Sequence, residues 1–190
     1  PIVVTIALVS GIPCNGAGNA VIGGTTSGGT GAYTFSLNAG MTDPLTEMNF
    51  EGLTPGSYQV FVTDENGCTS NSTSINITQP TAVQVSITGS AGTSCSDSMD
   101  GTIVGTGIGG TGGLTFSIDG INYQTGAVFN TVAPGTYTLY GQDANGCVDL
   151  SNSTVTIQAP MAIVMNETVM SVSCFGDTDG SISVGATGGN

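Results

Sequence analysis

The sequence predicts an all-β protein made of tandem repeats, with two complete copies and the first part of a third. Pro1, Pro80 and Pro160 open successive copies, so the repeat period is about 80 residues. Apolar and polar residues alternate along short segments, which is typical of strands with one buried face. Turn signals separate these segments at intervals of about eight to twelve residues, and no segment has the apolar spacing of a helix.

Seven strands are predicted in the second copy, which has the clearest pattern. They are expected at 83–87, 102–106, 114–118, 121–124, 127–132, 137–142 and 153–157. Seven short strands with frequent turns indicate an immunoglobulin-like or fibronectin-like β-sandwich. A four-stranded propeller blade would need about half of this period. The predicted modules are 1–79, 80–159 and 160–190, and we expect the third to continue in a longer repetitive protein.

One block is nearly the same in both complete copies, at 53–68 and at 132–147. Each block has a Pro-Gly turn, a strand, an Asn-Gly pair and a cysteine. The Asn-Gly pairs predict type I′ hairpins between the sixth and seventh strands, because both central residues of that turn need a positive φ.

The composition excludes several classes of function. The chain has no Lys, Arg, His or Trp, and its 13 acidic residues give a net charge of −13. A chain without cations cannot neutralise phosphates, so we exclude nucleic acid as a partner. We also expect no direct membrane insertion, since no segment is apolar enough to span a bilayer. Without His, neither a Ser-His nor a Cys-His pair can form, and the acids lie in turns where we expect them to be solvated. The sequence thus predicts no enzyme and no cofactor other than calcium.

The five cysteines recur at two places in the repeat. Cys14, Cys95 and Cys174 lie between the first and second strands, and Cys68 and Cys147 follow the Asn-Gly hairpins. In an acidic chain of extracellular type, disulfides are the favoured interpretation.

Two disulfide patterns fit the sequence. Intramodule pairing would join Cys14 to Cys68 and Cys95 to Cys147. However, an odd number of strands separates the two places, which puts them at opposite ends of a sandwich, about 20 Å apart. Disulfide Cα atoms lie within about 7 Å. The intermodule pattern instead joins Cys14 to Cys147, with Cys68, Cys95 and Cys174 paired to copies outside 1–190. If the short fourth strand is absent, the parity reverses and intramodule pairing is expected.

Acidic residues in the loops between the first and second strands suggest calcium. These are Asp97 and Asp100 in the second copy and Asp177 and Asp179 in the third. Calcium binds carboxylate and carbonyl oxygens. Capping of the turns by the same side chains is the alternative.

The repeat motifs also carry a family resemblance. They are C-S-D-S-M-D-G-T-I from Cys95, G-G-T-G-G-L-T-F-S-I from Gly109, P-G-T-Y-T-L from Pro134 and D-A-N-G-C ending at Cys147. This set, which continues into the third copy at Cys174, resembles the SprB repeat found in very large surface adhesins of gliding Bacteroidota.

The resemblance implies an extracellular protein of the cell surface, exported by the type 9 secretion system and used in attachment and gliding. Its implied partners are neighbouring repeats of the same chain, an external surface or polysaccharide, and the secretion and gliding machinery. It also implies O-glycosylation at Ser98, since 97–99 is similar to the acceptor pattern of that phylum.

Two functions follow from these observations. The first is a non-catalytic, rod-like stalk, because no Gly/Ser linker separates the copies at 79–80 or 159–160. The second is a carbohydrate-binding accessory module of a secreted polysaccharide-degrading protein, with the glycine loops at 23–31 and 105–113 holding the sugar. The absence of Trp weighs against the second.

Overall fold

The computed structural model describes residues 1–149 and 153–189, and these residues form sixteen β-strands without a helix. The prediction of an all-β, immunoglobulin-like fold is confirmed. Two compact units are present. Unit 1 comprises Pro1–Val83, Ile108–Leu114 and Gln142–Val148, and unit 2 comprises Gln84–Gly107, Thr115–Gly141 and Asp149–Asn190. Within the described ranges, no helix that could cross a membrane occurs.

Unit 1 contains the strands of the first copy. They are β1 (Val3–Ser10), β2 (Ala20–Ser27), β3 (Tyr33–Ser36), β4 (Asn49–Leu53), β5 (Gly56–Tyr58), β6 (Phe61–Asp64), β7 (Thr69–Asn71) and β8 (Ile75–Ile77). One sheet has the order β1-β2-β4, a second has the order β3-β6-β7, and β5 pairs with β8. All of these pairs are antiparallel.

The core of unit 1 lies between its sheets, as the alternation of apolar residues predicts. Ile22 on β2, Phe50 on β4, Phe35 on β3 and Val62 on β6 belong to one buried cluster. Residues of both sheets therefore face each other, which is the arrangement of a β-sandwich.

In the first copy, a break separates the β5–β8 pair from the β6–β7 pair. It lies between β5 and β6, where the Ser72 hydroxyl accepts a hydrogen bond from the Val60 amide at 3.0 Å. The Gln59 side chain donates to the Ser72 carbonyl. Val60 and Ser72 are both buried at this break.

Unit 2 contains the strands of the second and third copies. They are β9 (Gln84–Ala91), β10 (Gly101–Ile108), β11 (Thr115–Ser117), β12 (Val128–Val132), β13 (Gly135–Gln142), β14 (Ser153–Ile157), β15 (Met161–Met170) and β16 (Ser181–Gly189). The sheet orders are β12-β10-β9, β11-β13-β14 and β15-β16. Buried apolar residues of β9 to β14 form its core, namely Val85, Ile103, Phe116, Phe129, Val132, Leu139 and Ile157. The side chains of β15 are exposed.

The predicted fourth strand is wrong, because residues 121–124 form no strand. Gln124 makes only an isolated bridge to Phe116, and in the first copy Leu45 makes the same bridge to Phe35. We expected that, without this strand, the two cysteine positions of one copy would lie at the same end of the sandwich and pair with each other. That expectation is also wrong. Since β4 runs antiparallel to β2, the chain must return along the sandwich between β3 and β4 whether or not the return is a strand. The loop after the first strand and the hairpin before the seventh therefore still lie at opposite ends of each sandwich.

Candidate functional site

The hairpin at 142–148 is organised by one carboxylate. Oδ1 of Asp143 accepts hydrogen bonds from the Asn145 and Cys147 amides, both at 2.9 Å. Oδ2 accepts a third from the Thr111 amide at 2.7 Å. The Gly146 amide donates to the Asp143 carbonyl at 3.1 Å and completes a four-residue turn.

The predicted type I′ turn is wrong. Gly146 has a φ of 83°, whereas Asn145 is not among the residues with positive φ. The geometry is that of a type I turn followed by a glycine in the left-handed region, which is the usual three-residue hairpin loop. The Asp143 carboxylate favours this turn, because it binds the Asn145 and Cys147 amides together.

The first copy has the same hairpin with the same bonds. Oδ1 of Asp64 accepts from the Asn66 amide at 3.1 Å and from the Cys68 amide at 2.8 Å, and Oδ2 accepts from the Thr30 amide at 3.0 Å. The Gly67 amide donates to the Asp64 carbonyl at 2.9 Å. The hairpin is thus a conformation that each copy forms by itself.

Both carboxylates are buried, so the expectation that the acids in turns are solvated is wrong for them. Asp143 is 5% exposed and Asp64 is 6% exposed. Burial opposes ionisation of Asp143, but the amides of Thr111, Cys147 and Asn145 outweigh it and hold its pKa below the ordinary value of 3.8. An aspartate precedes the Asn-Gly pair in both copies, and this recurrence is the sequence signal that could have marked Asp64 and Asp143 as structural residues.

The equivalent amides of the first copy lower the pKa of Asp64. The hydrogen bond from the Cys68 amide makes the largest contribution, and those from the Thr30 and Asn66 amides add to it, whereas burial acts in the opposite direction. A carboxylate that accepts several amide hydrogen bonds is stabilised in its charged form. Both hairpins are therefore held by an ionised aspartate at neutral pH.

The glycine loops lie against these carboxylates. A Cβ atom added at Gly110 would come within 2.7 Å of the Asp143 Cβ, and one added at Gly29 would come within 3.0 Å of the Asp64 Oδ2. Both glycines also have positive φ, at 68° and 74°. A glycine is needed at each of these positions because the aspartate packs directly on the backbone.

A disulfide within unit 1 joins this hairpin to the first copy. The Sγ atoms of Cys14 and Cys147 are 1.96 Å apart, and their Cα atoms are 5.6 Å apart. Beside the bond, the Asn145 side-chain amide donates to the Pro13 carbonyl at 3.2 Å. The cysteine after the second hairpin is therefore bonded to the loop between β1 and β2, as in the intermodule pattern, and not to Cys95.

The segment between the two copies also contacts this loop. The Asn15 side chain donates to the Pro80 carbonyl at 2.9 Å, and the Gly16 amide donates to the Gln79 side-chain carbonyl at 2.8 Å. We call the disulfide, the hairpin at 142–148, the loop at 11–19 and the segment 79–80 the junction. Three kinds of contact hold it: a covalent bond, a hydrogen bond from the hairpin to Pro13, and two hydrogen bonds to the connecting segment.

The other cysteines are free thiols. Cys68, Cys95 and Cys174 are all exposed. The intramodule alternative, Cys14 with Cys68 and Cys95 with Cys147, is not the pairing in the structure. The pairing of the three free thiols with further copies stays a prediction.

The predicted calcium ligands make hydrogen bonds within their own loops. Asp100 Oδ1 accepts from the Ser94 amide at 2.9 Å, and Asp179 Oδ1 accepts from the Ser173 amide at 3.0 Å. The Ser94 and Ser173 interactions lower the pKa of Asp100 and Asp179. Asp177 accepts from the Ser173 hydroxyl at 2.9 Å.

These bonds are of the turn-capping kind. Among residues 1–149 and 153–189, no three His, Cys, Asp or Glu side chains come together in a way that could hold a metal ion. Asp97 is exposed and the neighbouring Ser98 is half-buried. Calcium binding by Asp97, Asp100, Asp177 and Asp179, and glycosylation of Ser98, stay predictions.

Comparison with known proteins yields only distant similarity. No family model and no curated protein matches the chain. It is similar to the three N-terminal domains of the bacteriophage RB49 highly immunogenic outer capsid protein, with 15% identity, a TM-score of 0.45 and coverage of 99% of this chain and 70% of that one.

Two further solved structures are similar. One is the C-terminal 282-residue fragment of intimin in complex with the intimin-binding domain of its translocated receptor, with 15% identity, a TM-score of 0.37 and coverage of 86% and 67% of the two chains. The other is a tetra-tandem repeat in the extending region of a large adhesion protein, with 17% identity, a TM-score of 0.29 and coverage of 98% of this chain. The chain spans 63% of that structure.

Proposed function

We propose that this chain is a non-catalytic segment of a large secreted surface adhesin, in which the repeats act as a rod-like stalk. The observation that carries the proposal is the disulfide between Cys14 of the first copy and Cys147 of the second. A bond between successive copies does not stabilise either sandwich alone. It gives a tensile load a covalent path besides the connecting segment, and it limits bending at the junction.

The connecting segment supports the same function. The Gln79 side chain and the Pro80 carbonyl are both hydrogen-bonded to the loop that carries Cys14. A linker bound in this way differs from a flexible Gly/Ser linker, whose backbone is solvated. A stalk that holds an adhesive tip away from a cell needs such restricted junctions.

The glycine loops favour the stalk over the carbohydrate-binding alternative. Gly29 and Gly110 pack against Asp64 and Asp143, and the Thr30 and Thr111 amides donate to these carboxylates. The loops thus have a structural role in forming the hairpins. This role accounts for Gly29 and Gly110 without a bound sugar.

Single-molecule stretching of the chain from its two ends tests the load path. The disulfide should prevent extension of the 133 residue spacings between Cys14 and Cys147. At about 3.6 Å per residue, reduction should release about 480 Å of additional contour length. A Cys14→Ser and Cys147→Ser variant should show the longer extension without reductant. Equal extension of the oxidised and reduced chain would contradict the proposal.

We also propose that the parent protein lies outside the cell and belongs to the SprB type, with a role in gliding and export by the type 9 system. The resemblance of the repeat motifs and a net charge of −13 without any Lys or Arg support this proposal. An antibody raised against the chain should label intact cells, and the label should move along the surface of gliding cells. Label that appears only after permeabilisation would contradict it.

A further inference from the structure

Unit 2 has an open cleft beside one of its free thiols. Its volume is about 300 Å³, and its lining is formed by Ser94, Cys95, Ser96, Pro160, Met161, Ile163 and Gly189. Cys95 is exposed there as a free thiol. We call this cavity the Cys95 cleft.

The residues that line the Cys95 cleft occupy the same repeat positions as residues around the hairpin of unit 1. Ser94 and Cys95 correspond to Pro13 and Cys14, and Pro160 corresponds to Pro80. In unit 1, Pro13 accepts a hydrogen bond from the hairpin, and Cys14 is bonded to it. One side of the cleft is thus equivalent to the loop that binds the hairpin.

Ile163 and Gly189 form the part of the lining that we call the floor of the cleft. They occupy the same repeat positions as Val83 and Gly110 in the second copy. In unit 1, a Cβ added at Gly110 would meet both Asp143 of the hairpin at 2.7 Å and Val83 at 2.8 Å, so Gly110 lies against both residues. Within the described ranges, a Cβ added at Gly189 would meet only Ile163, at 3.5 Å.

The loop beside the cleft already has the required conformation. The Ser98 amide donates to the Cys95 carbonyl at 3.2 Å, as the Ala17 amide does to the Cys14 carbonyl at 3.2 Å. The loop therefore needs no rearrangement to present its thiol.

We propose that the Cys95 cleft is a covalent docking site for a β-hairpin of sequence Asp-x-Asn-Gly-Cys, the one that belongs to the same repeat as β15 and β16. The floor residues decide which hairpin binds. Ile163 and Gly189 lie on those two strands, just as Val83 and Gly110 belong to the same copy as Asp143. The hairpin at 64–68 of a second molecule is the poorer candidate, because its Asp64 already packs on its own Gly29.

The bond forms by oxidation of two thiols. The Cys95 thiol and the hairpin thiol lose two protons and two electrons and form one S–S bond. A disulfide oxidant such as oxidised glutathione takes them up and leaves as two glutathione thiols. This inference goes beyond the proposed function and does not rest on it.

The test uses the whole chain and a cyclic peptide that contains the sequence of 141–148, closed opposite its turn by D-Pro-Gly. The peptide and chain are mixed with glutathione redox buffer, and the adducts at each cysteine are quantified by peptide mass spectrometry. The three exposed thiols serve as controls for one another. Because the cleft adds a hydrogen bond and apolar burial, we expect the Cys95 adduct to exceed those at Cys68 and Cys174 by about tenfold.

Two variants separate docking from simple thiol reactivity. Ile163→Trp places a larger side chain in the lining of the cleft and leaves Cys95 itself unchanged, and it should bring the Cys95 adduct down to the level of the other two. Val169→Trp, at another exposed position of β15, should leave the preference unchanged. Equal labelling of all three thiols, or a preference that survives Ile163→Trp, would overturn the proposal. Dimers linked through Cys68 and Cys95 in excess of the peptide adduct would overturn the choice of hairpin.

Discussion

Removal of the Cys14–Cys147 bond should lower the free energy of complete unfolding by several kcal/mol. The bond joins residues 133 positions apart, so it closes a large loop in the unfolded chain. The chain-entropy relation gives about 5 kcal/mol at 25 °C for a loop of this size. The hydrogen bonds of the junction can form in the reduced chain as well, so the predicted loss comes from the unfolded state.

The comparison needs a background without free thiols, because these would exchange with the bond during unfolding. We suggest Cys68→Ser, Cys95→Ser and Cys174→Ser as the control, with Cys14→Ser and Cys147→Ser added in the test variant. Urea unfolding is followed by far-ultraviolet circular dichroism. With a slope of about 2–3 kcal/mol/M, the midpoint should fall by about 2 M, and the slope should rise because the unlinked chain expands further.

The result that would refute this reasoning is an unchanged midpoint. It would mean that the bond does not constrain the unfolded chain, or that the two cysteines do not pair in solution. Intact-mass measurement of the control decides between these two cases, because pairing lowers the mass by two hydrogen atoms.

Three further predictions concern the sandwich and its hairpin. Because the folded-state pKa of Asp143 is lowered, its contribution is complete above the ordinary value of 3.8 and is lost as the pH falls below it; Asp143→Asn should flatten the dependence of the unfolding midpoint on pH in this range. Ile22→Ala, at a fully buried position, should cost about 2–5 kcal/mol in urea unfolding, whereas Val3→Ala, at a position 54% exposed, should cost much less. Gly110→Ala, at a positive φ and against Asp143, should cost about 1–3 kcal/mol or more, whereas Gly113→Ala has open space and should be nearly neutral by the same assay.

The all-β class and most strands could be predicted because they depend on local patterns. The strand predicted within the block at 53–68 contains Val60 and Val62, two positions apart, and both are fully buried. The turns after β6 and β13 were also located correctly by their Asn-Gly pairs. Their type was not, because it depends on the carboxylates of Asp64 and Asp143, which bind the turn amides from outside the Asn-Gly pair.

The burial of these aspartates could not be read from the turn alone. The second oxygen of the buried Asp143 binds the Thr111 amide, which is 32 positions away in the sequence. A contact at this separation follows from how the strands pair, and the alternation pattern does not contain that information. The fourth strand shows the converse error, in which a local pattern predicts a strand that the pairing does not form. Residues 121–124 have a strand-like pattern, but only Gln124 has a bridging partner, Phe116.

The hairpin at 142–148 connects the fold of the second copy to the disulfide with the first copy. Asp143 fixes the Cys147 amide through a bond within the second copy, and Cys147 then bonds to the first copy. The Cys147 backbone is thus held by a hydrogen bond within its own copy. Since the hairpin at 64–68 has the same bonds and a free Cys68, this conformation does not require the disulfide. The hairpin therefore does not need the disulfide in order to form, unlike small domains that cannot form a sufficient core without their disulfides.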